Sequence, residues 1–239
     1  MSSYPIPSGE AERLNALERY RILDTEAERS FDNITLLASQ ICQSPIALVS
    51  LVDAERQWFK SKVGLEVDQT PREHAFCAHS IMSSEIMIVE NARDDRRFAN
   101  NPLVLGDPHI QFYAGAPLVD LDGHALGTLC VIDRTPRKLS DQQRQALQAL
   151  SEQVVTLLEY RDTTHRLAAA LEEVKTLSGL VPVCAWCNEI RDDDGFWQKV
   201  DVYITEQTNA CVTHSICPKC AERNLKALAE RRKKKKRSR

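Results

Sequence analysis

The amino-acid sequence predicts an α+β fold in which helices flank an antiparallel sheet, followed by a long helix and a small cysteine-rich unit. Two apolar runs, 112–119 and 125–132, flank an Asp-Gly pair, which is a strong hairpin signal because glycine accepts the positive φ of tight turns. A second strand pair over 46–63 turns around a polar stretch. Segments with helical spacing precede and follow these hairpins. Gly115 and Gly127 lie inside the predicted strands and indicate close approach of another backbone or a bound molecule.

The elements follow in order from periodicity and turn residues. Leu14, Leu17 and Leu23 have the spacing of one helix face. Gln143 lies three residues after Ser140, as in a capping box, and a helix beginning there would be roughly 55 Å long at 1.5 Å per residue. The predicted helices are 10–24, 31–42, 74–83 and 140–177. The predicted strands are 46–52, 57–63, 86–90, 112–119 and 125–132. The segment that follows Gly64 and ends at Pro71 is expected to be a loop, and so is the segment 91–106.

Composition is typical of a globular protein, with 43% hydrophobic and 27% charged residues among 239. No apolar run approaches the roughly 20 residues that a membrane helix needs, and residues 1–10 lack the apolar core of a signal peptide. We therefore expect a cytoplasmic protein without a membrane partner. The eight cysteines are then expected to be reduced or metal-bound, not paired as disulfides.

Charge is distributed unevenly along the chain. Residues 231–239 contain 8 of the 31 Lys and Arg residues, and the remaining 23 stand against 34 Asp and Glu residues, a net charge of −11. A domain with this net negative charge would repel the phosphates of nucleic acid, so its surface is not expected to bind nucleic acid. The basic tail could contact nucleic acid, anionic lipid or an acidic protein, or it could be a disordered solubilising tail. A nucleic-acid partner is thus possible but not favoured.

Four segments in order carry a resemblance to a known family: FCAHSI, DDRRFANNPLV, IQFYAGAPLV and GHALGTLCVIDRTPRKLSDQQRQAL. Together they resemble the GAF family of small-molecule sensor domains, in particular the bacterial branch attached to histidine kinases and diguanylate cyclases. The resemblance covers roughly 7–155. One departure is Gln111, where the family pattern has Arg.

The resemblance implies an apolar pocket for an unidentified small molecule, with a few polar anchors. Cys77 and His79 are two residues apart on a predicted helix and point about 200° apart, so they cannot share one ligand. Covalent bilin attachment is not expected, because the Cys-His signature of the phytochrome-like branch is missing. The predicted lining residues are Trp58, Phe76, Cys77, His79, Tyr113 and Cys130.

A cysteine cluster marks the C-terminal part of the chain. Two Cys-x-x-Cys pairs, Cys184 with Cys187 and Cys217 with Cys220, are 29 residues apart. Such pairs let four sulfurs reach one ion at about 2.3 Å, and structural zinc is the expected metal. His214 is a possible substitute ligand. The alternatives are an iron–sulfur site, a thioredoxin-like redox pair and free thiols.

The segment 181–225 as a whole resembles a small cysteine-rich module found at the C-termini of bacterial sensor and response-regulator proteins. Within the preceding helix, six of eight heptad positions between Leu147 and Leu171 are apolar, which favours a homodimer through 140–177. The predicted division is an N-terminal helix, a GAF-type sensor, a connecting helix, a zinc module and a basic tail. Their bounds are 1–24, 25–139, 140–179, 180–226 and 227–239.

The resulting functional prediction is a bacterial signal-transduction sensor that relays occupancy through the helix to a zinc-stabilised interaction module. No paired carboxylates, nucleophile–base pair, phosphate-binding loop or catalytic output segment stands out, so the protein is expected not to be an enzyme. One alternative is a transcription-associated regulator that contacts nucleic acid through the zinc module and tail. Another is a thiol redox enzyme that uses Cys77 and Cys130.

Overall fold

The computed structural model describes residues 4–178, 182–192, 195–207, 211–213 and 215–237. The chain divides into two compact units, 1–169 and 170–239. The predicted five-part division is not tested by this and stays a prediction.

A six-stranded antiparallel sheet forms the centre of the first unit, so the predicted α+β fold is confirmed. The central strands are nearly or wholly buried because both faces of the sheet are covered. The order across the sheet is β3-β2-β1-β6-β5-β4. The strands are β1 (Ile46–Val52), β2 (Arg56–Val63), β3 (Gln69–Pro71), β4 (Met87–Val89), β5 (Phe112–Val119) and β6 (Ala125–Asp133).

Helices cover both faces of this sheet. Ser140 and Gln143 form the predicted capping box, since the Gln143 amide donates to Ser140 Oγ at 3.2 Å and Gln143 Oε1 accepts from the Ser140 amide at 3.0 Å. The helices are α1 (Glu10–Arg19), α2 (Arg29–Cys42), α3 (Phe76–Ser80), α4 (Pro102–Leu105) and α5 (Asp141–Ser178).

Each face of the sheet has its own hydrophobic core, because side chains alternate along a strand. Val49 of β1 packs with Leu17 of α1, Ala38 of α2 and Val154 of α5 on the helical face. Leu48 of β1 belongs to the core on the other face, together with α3 and the segment that contains α4. The first turns of α5 therefore pack on the sheet of their own chain.

Some predicted bounds are corrected by the structure. Helix α1 ends at Arg19, because Arg21 and Asp24 have positive φ values of 48° and 57°. The expected loop before Arg72 contains β3, which pairs with the start of β2. The expected irregular segment 91–106 contains α4, whose N-cap Asn101 accepts a hydrogen bond from the Leu103 amide at 2.9 Å.

Beyond the end of α5, the described part of the second unit contains a short hairpin and two helices. A disordered solubilising tail was one of the alternatives for 231–239, whereas the last helix continues to Arg237. A lysine- and arginine-rich run keeps good intrinsic helix propensity, which explains the difference. The elements are β7 (Ile190–Arg191), β8 (Trp197–Gln198), α6 (Val200–Gln207) and α7 (Pro218–Arg237).

Candidate functional site

Four of the six predicted pocket residues come together on one face of the sheet. Helix α3 supplies Phe76 and Cys77, while β5 and β6 supply Tyr113 and Cys130. All four are at most 2% exposed, and the Phe76 ring stacks on Tyr113 at 5.2 Å between centroids. These side chains therefore form a tightly packed interior.

The Cys77 thiol is the polar centre of this interior. The hydroxyls of Tyr113 and Thr128 lie 3.4 and 3.1 Å from Cys77 Sγ and donate to it. Burial alone would raise the pKa of Cys77, but hydrogen bonds from Cys130, Thr128 and Tyr113 outweigh it and lower the pKa to about 6. Burial, together with the neighbouring Cys77, raises the pKa of Tyr113. The polar contacts of this interior therefore centre on one buried sulfur atom.

His79 and Trp58 lie apart from this group. His79 makes an edge contact with the Phe98 ring at 4.8 Å, and burial lowers its pKa. Trp58 lies on the helical face of the sheet, where it belongs to the opposite core. Its neighbour Phe59 faces the Cys77 side instead. The predicted grouping is thus corrected for Trp58, since adjacent strand residues point to opposite faces.

A cavity of about 490 Å³ lies on the same face as Cys77, within the 300–1,000 Å³ range of ligand pockets. Its floor is formed by the central strands, and its walls are the loop 64–67 and the segment 103–110. The loop is held by Lys62, whose Nζ donates to the carbonyl oxygens of Glu66 and Val67. The apolar floor side chains are Ile46, Leu48, Phe59 and Ile132.

One polar pair, buried Gln57 and half-buried Thr70, lies at the edge of this cavity. Gln57 Nε2 donates to Thr70 Oγ1 at 2.6 Å, and Gln57 Oε1 accepts from Ser50 Oγ at 3.3 Å. Ser50 also helps to lower the pKa of Cys77. The cavity edge and the buried thiol therefore share Ser50 as a polar neighbour.

Sequence reasoning missed the cavity residues, because they come from segments far apart in the chain. A usable signal was present: Leu65, Val67 and Leu103 are apolar residues in segments otherwise expected to be loops. Apolar side chains in loops need a surface to cover, and here they cover the sheet.

The predicted metal ligands form two separate local pairs. The Cys220 amide donates to Cys217 Sγ at 3.4 Å at the start of α7. Cys184 and Cys187 flank a turn in which the Asn188 amide donates to the Cys184 carbonyl oxygen at 2.9 Å. The described residues do not gather three of these four sulfurs within 4.8 Å of one another. His214 lies outside the described residues, so its predicted role stays a prediction.

Another cluster of metal-ligating side chains lies in the β5–β6 turn. Within the described ranges, Asp120, Asp122 and His124 place ligand atoms within 4.8 Å of one another. Arg19 already supplies a cation there, with its Nη2 at 3.1 Å from Asp122 Oδ2 and 3.7 Å from Asp120 Oδ2. Asp120 Oδ1 also accepts from the amides of Asp122 and His124, which stabilises the hairpin turn.

The sheet, its two helical layers and the cavity define an α+β domain of the sensor type. The chain belongs to the GAF domain family: the family model matches residues 26–158, more than half of the chain. The predictions of a GAF domain and of a signalling domain are thereby confirmed. In the part of the chain described, no helix combines the length and apolar character needed to cross a membrane.

Among curated proteins, a cyclic di-GMP phosphodiesterase from Pseudomonas aeruginosa is 44% identical over 137 residues, which cover 57% of this chain and 23% of that protein. The matched region thus spans under a quarter of that relative. The prediction that the protein is not an enzyme is contradicted by this finding, since a protein named as an enzyme carries the matching segment. The reasoning failed because a missing catalytic motif in a sensor segment says nothing about enzymatic activity elsewhere.

Solved structures with a similar fold include the GAF domain of an Acinetobacter phosphoenolpyruvate-protein phosphotransferase. It is 18% identical with a TM-score of 0.48, and the match covers 65% of this chain and 95% of that domain. The PixJ GAF domain of Thermosynechococcus elongatus in its blue-light absorbing form is 12% identical with a TM-score of 0.48. That match covers 71% of this chain and 98% of that one.

Proposed function

We propose that the GAF domain binds a small molecule in the 490 Å³ cavity and relays its occupancy to α5. The observation that carries this proposal is the double role of strand β2. Phe59 of β2 lines the cavity on one face, and Lys60, the next residue, bonds toward the helices on the other. A shift of β2 on ligand binding would therefore reach both faces of the sheet.

The link from β2 to α5 is a chain of charged groups. Lys60 Nζ lies 2.7 Å from Glu28 Oε1, and the same carboxylate oxygen accepts from Arg161 Nη1 of α5 at 2.5 Å. Tyr20 of the segment after α1 donates to Glu159 Oε1 at 2.5 Å, a second polar contact with α5. Charge-assisted bonds of this kind depend on geometry, so a small displacement of Lys60 is expected to change how α5 is held.

We propose that the signal leaves the domain through the association of two copies of the chain. Thr164, Ala168 and Leu171 of the predicted heptad stripe are exposed, which supports a homodimer through this part of α5 in the cytoplasm. The name of the Pseudomonas aeruginosa relative supports a role for the domain in controlling an enzyme of cyclic di-GMP turnover.

Filling the cavity tests the binding proposal. Leu48→Phe adds a ring at the cavity floor, and it is expected to abolish binding of a small molecule that native mass spectrometry detects on the wild-type protein. Hydrogen exchange of the amides around Glu159 and Arg161 is expected to differ between the ligand-bound wild type and the variant. Leu121→Phe, in an exposed turn, is the matched control and should behave as the wild type. Identical spectra and exchange for all three proteins would overturn the proposal.

We also propose that the second unit binds one zinc ion through Cys184, Cys187, Cys217 and Cys220. The donor set fits, since both local pairs already hold their sulfurs close to backbone amides, and thiolate ligands suit zinc. When bound, the metal would supply much of the folding free energy of this small unit.

Metal analysis of the purified chain checks the zinc proposal. We expect one zinc per chain in the wild type and none in Cys187→Ser. Cys211→Ser, which changes an exposed cysteine outside both pairs, should keep the metal. Chelation is expected to reduce the helical circular dichroism of α6 and α7. Zinc content that does not change in Cys187→Ser would contradict the four-cysteine assignment.

A further inference from the structure

The cavity floor is hydrocarbon and lacks a buried charge. Ile46, Leu48, Phe59 and Ile132 are each at most 6% exposed, and each presents carbon atoms to the space. A phosphate or carboxylate on this floor would lose its hydration without gaining a cation in return, which strongly disfavours it. The floor therefore suits an apolar ring or chain.

The polar pair at the edge, Gln57 and Thr70, uses part of its hydrogen-bonding capacity within the protein. Gln57 already donates to Thr70 and accepts from Ser50. A primary amide has two N–H donors and two acceptor lone pairs, so one N–H and one lone pair of Gln57 remain, and the Thr70 hydroxyl keeps its O–H and one lone pair. The edge can therefore pair with one or two polar groups of an otherwise apolar ligand.

Charges of both signs lie at the mouth, and the negative sign predominates. Glu66 and Asp107 each bring a carboxylate, whereas Arg134 brings the one guanidinium among the described residues that line the cavity. Arg134 Nε donates to the Pro108 carbonyl oxygen at 3.0 Å, so part of that guanidinium is already occupied. An anion at the mouth meets net repulsion, and a cation meets net attraction.

We propose that this cavity selects a small, largely apolar ring compound that is neutral or carries one ammonium group, and that it rejects phosphate-bearing nucleotides. This inference rests on the proposed function, because it names the ligand class of the same site. The inference also means that the molecule sensed differs from cyclic di-GMP. A domain that matches part of a cyclic di-GMP phosphodiesterase would then respond to a signal that is chemically unlike cyclic di-GMP.

Three indole compounds that differ in charge test the inference: tryptamine is cationic, tryptophol neutral and indole-3-propionate anionic. Binding to the full chain is measured by titration calorimetry and ligand-observed saturation-transfer NMR, with cyclic GMP and cyclic di-GMP in parallel. We expect tryptamine to bind roughly two- to five-fold more tightly than indole-3-propionate, the range for solvent-exposed charges. Neither nucleotide should bind at this cavity.

Two variants locate the effect. Glu66→Gln combined with Asp107→Asn, both exposed, should remove the preference for tryptamine, while Leu48→Phe should abolish binding of all three indoles. Equal or reversed affinities in the wild type would overturn the charge selection but leave the cavity as a binding site. A nucleotide whose binding Leu48→Phe abolishes would overturn the ligand class and support the proposed function. If no compound binds and Leu48→Phe changes nothing, both proposals fall.

Discussion

Replacement of Gly127 by alanine is expected to lower the free energy of unfolding by about 3 kcal/mol, at the upper end of the usual cost of overpacking a core. Gly127 of β6 pairs with Leu51 of β1 at the centre of the sheet. A Cβ at this position would lie 2.0 Å from the Ser50 carbonyl oxygen and 2.8 Å from Leu51 Cα. Both are backbone atoms, so no side-chain rotation can relieve the contact. Urea unfolding followed by circular dichroism measures the loss.

Gly123→Ala is the matched control for this prediction. Gly123 lies in the turn of the same hairpin with φ of +90°, and an added Cβ would meet nothing within 4 Å. It should cost about 1 kcal/mol from the backbone conformation alone. A Gly127→Ala protein as stable as the Gly123→Ala protein would show that β1 and β6 do not approach so closely.

Glu28→Ala is expected to cost about 3 kcal/mol of unfolding free energy, because it removes the carboxylate that pairs with the buried Lys60 ammonium. The Lys60 side chain is fully buried, and its Nζ donates to Glu28, to the Thr25 hydroxyl and to the Glu26 carbonyl oxygen. Arg161 shares the same carboxylate, and its Nε is buried without a hydrogen-bond partner. Removing Glu28 therefore affects two cations at once. Urea unfolding at neutral pH measures the effect.

Two comparisons make this second prediction specific. Asp68→Ala removes the partner of Lys62 from an exposed ion pair with 2.7 Å between Nζ and Oδ1, and it should cost at most about 0.5 kcal/mol. Lys60→Met should cost less than Glu28→Ala, since Glu28 keeps Arg161 and the methionine side chain is apolar. If Asp68→Ala and Glu28→Ala are equally mild, Glu28 does not stabilise buried charge and the proposed link to α5 loses its central residue.

Local signals were sufficient for much of the fold. Strands Ile46–Val52 and Phe112–Val119 have their predicted bounds, because long apolar runs ended by turn residues leave little choice of conformation. The start of α5 was readable because the capping box at Ser140 involves residues three apart. The expectation that another backbone approaches Gly127 closely is also confirmed, because the backbone of Ser50 and Leu51 occupies the place of a Cβ.

The site was only partly predictable. Phe76, Cys77, Tyr113 and Cys130 lie together, but they fill the interior beside the cavity and do not line it. Trp58 was assigned to them because nothing in its local sequence states which face of the sheet it occupies. Register decides that question: Trp58 pairs with Leu51, and a bulge between Val49 and Ser50 resets the pairing further along. A shift of one residue would have exchanged Trp58 with Phe59.

The sequence by itself determined most elements of the sheet domain, the two long hairpins of its sheet, the family to which the chain belongs and the spacing of the two Cys-x-x-Cys pairs. Each of these depends on residues close together in the chain or on ordered motifs. Tertiary structure alone decided which strand faces meet, where a cavity remains and how Lys60 reaches α5 through Glu28. Those features join segments separated by 32 to 133 residues. Contacts over such distances are selected by the packing of the whole domain, and no local pattern encodes them.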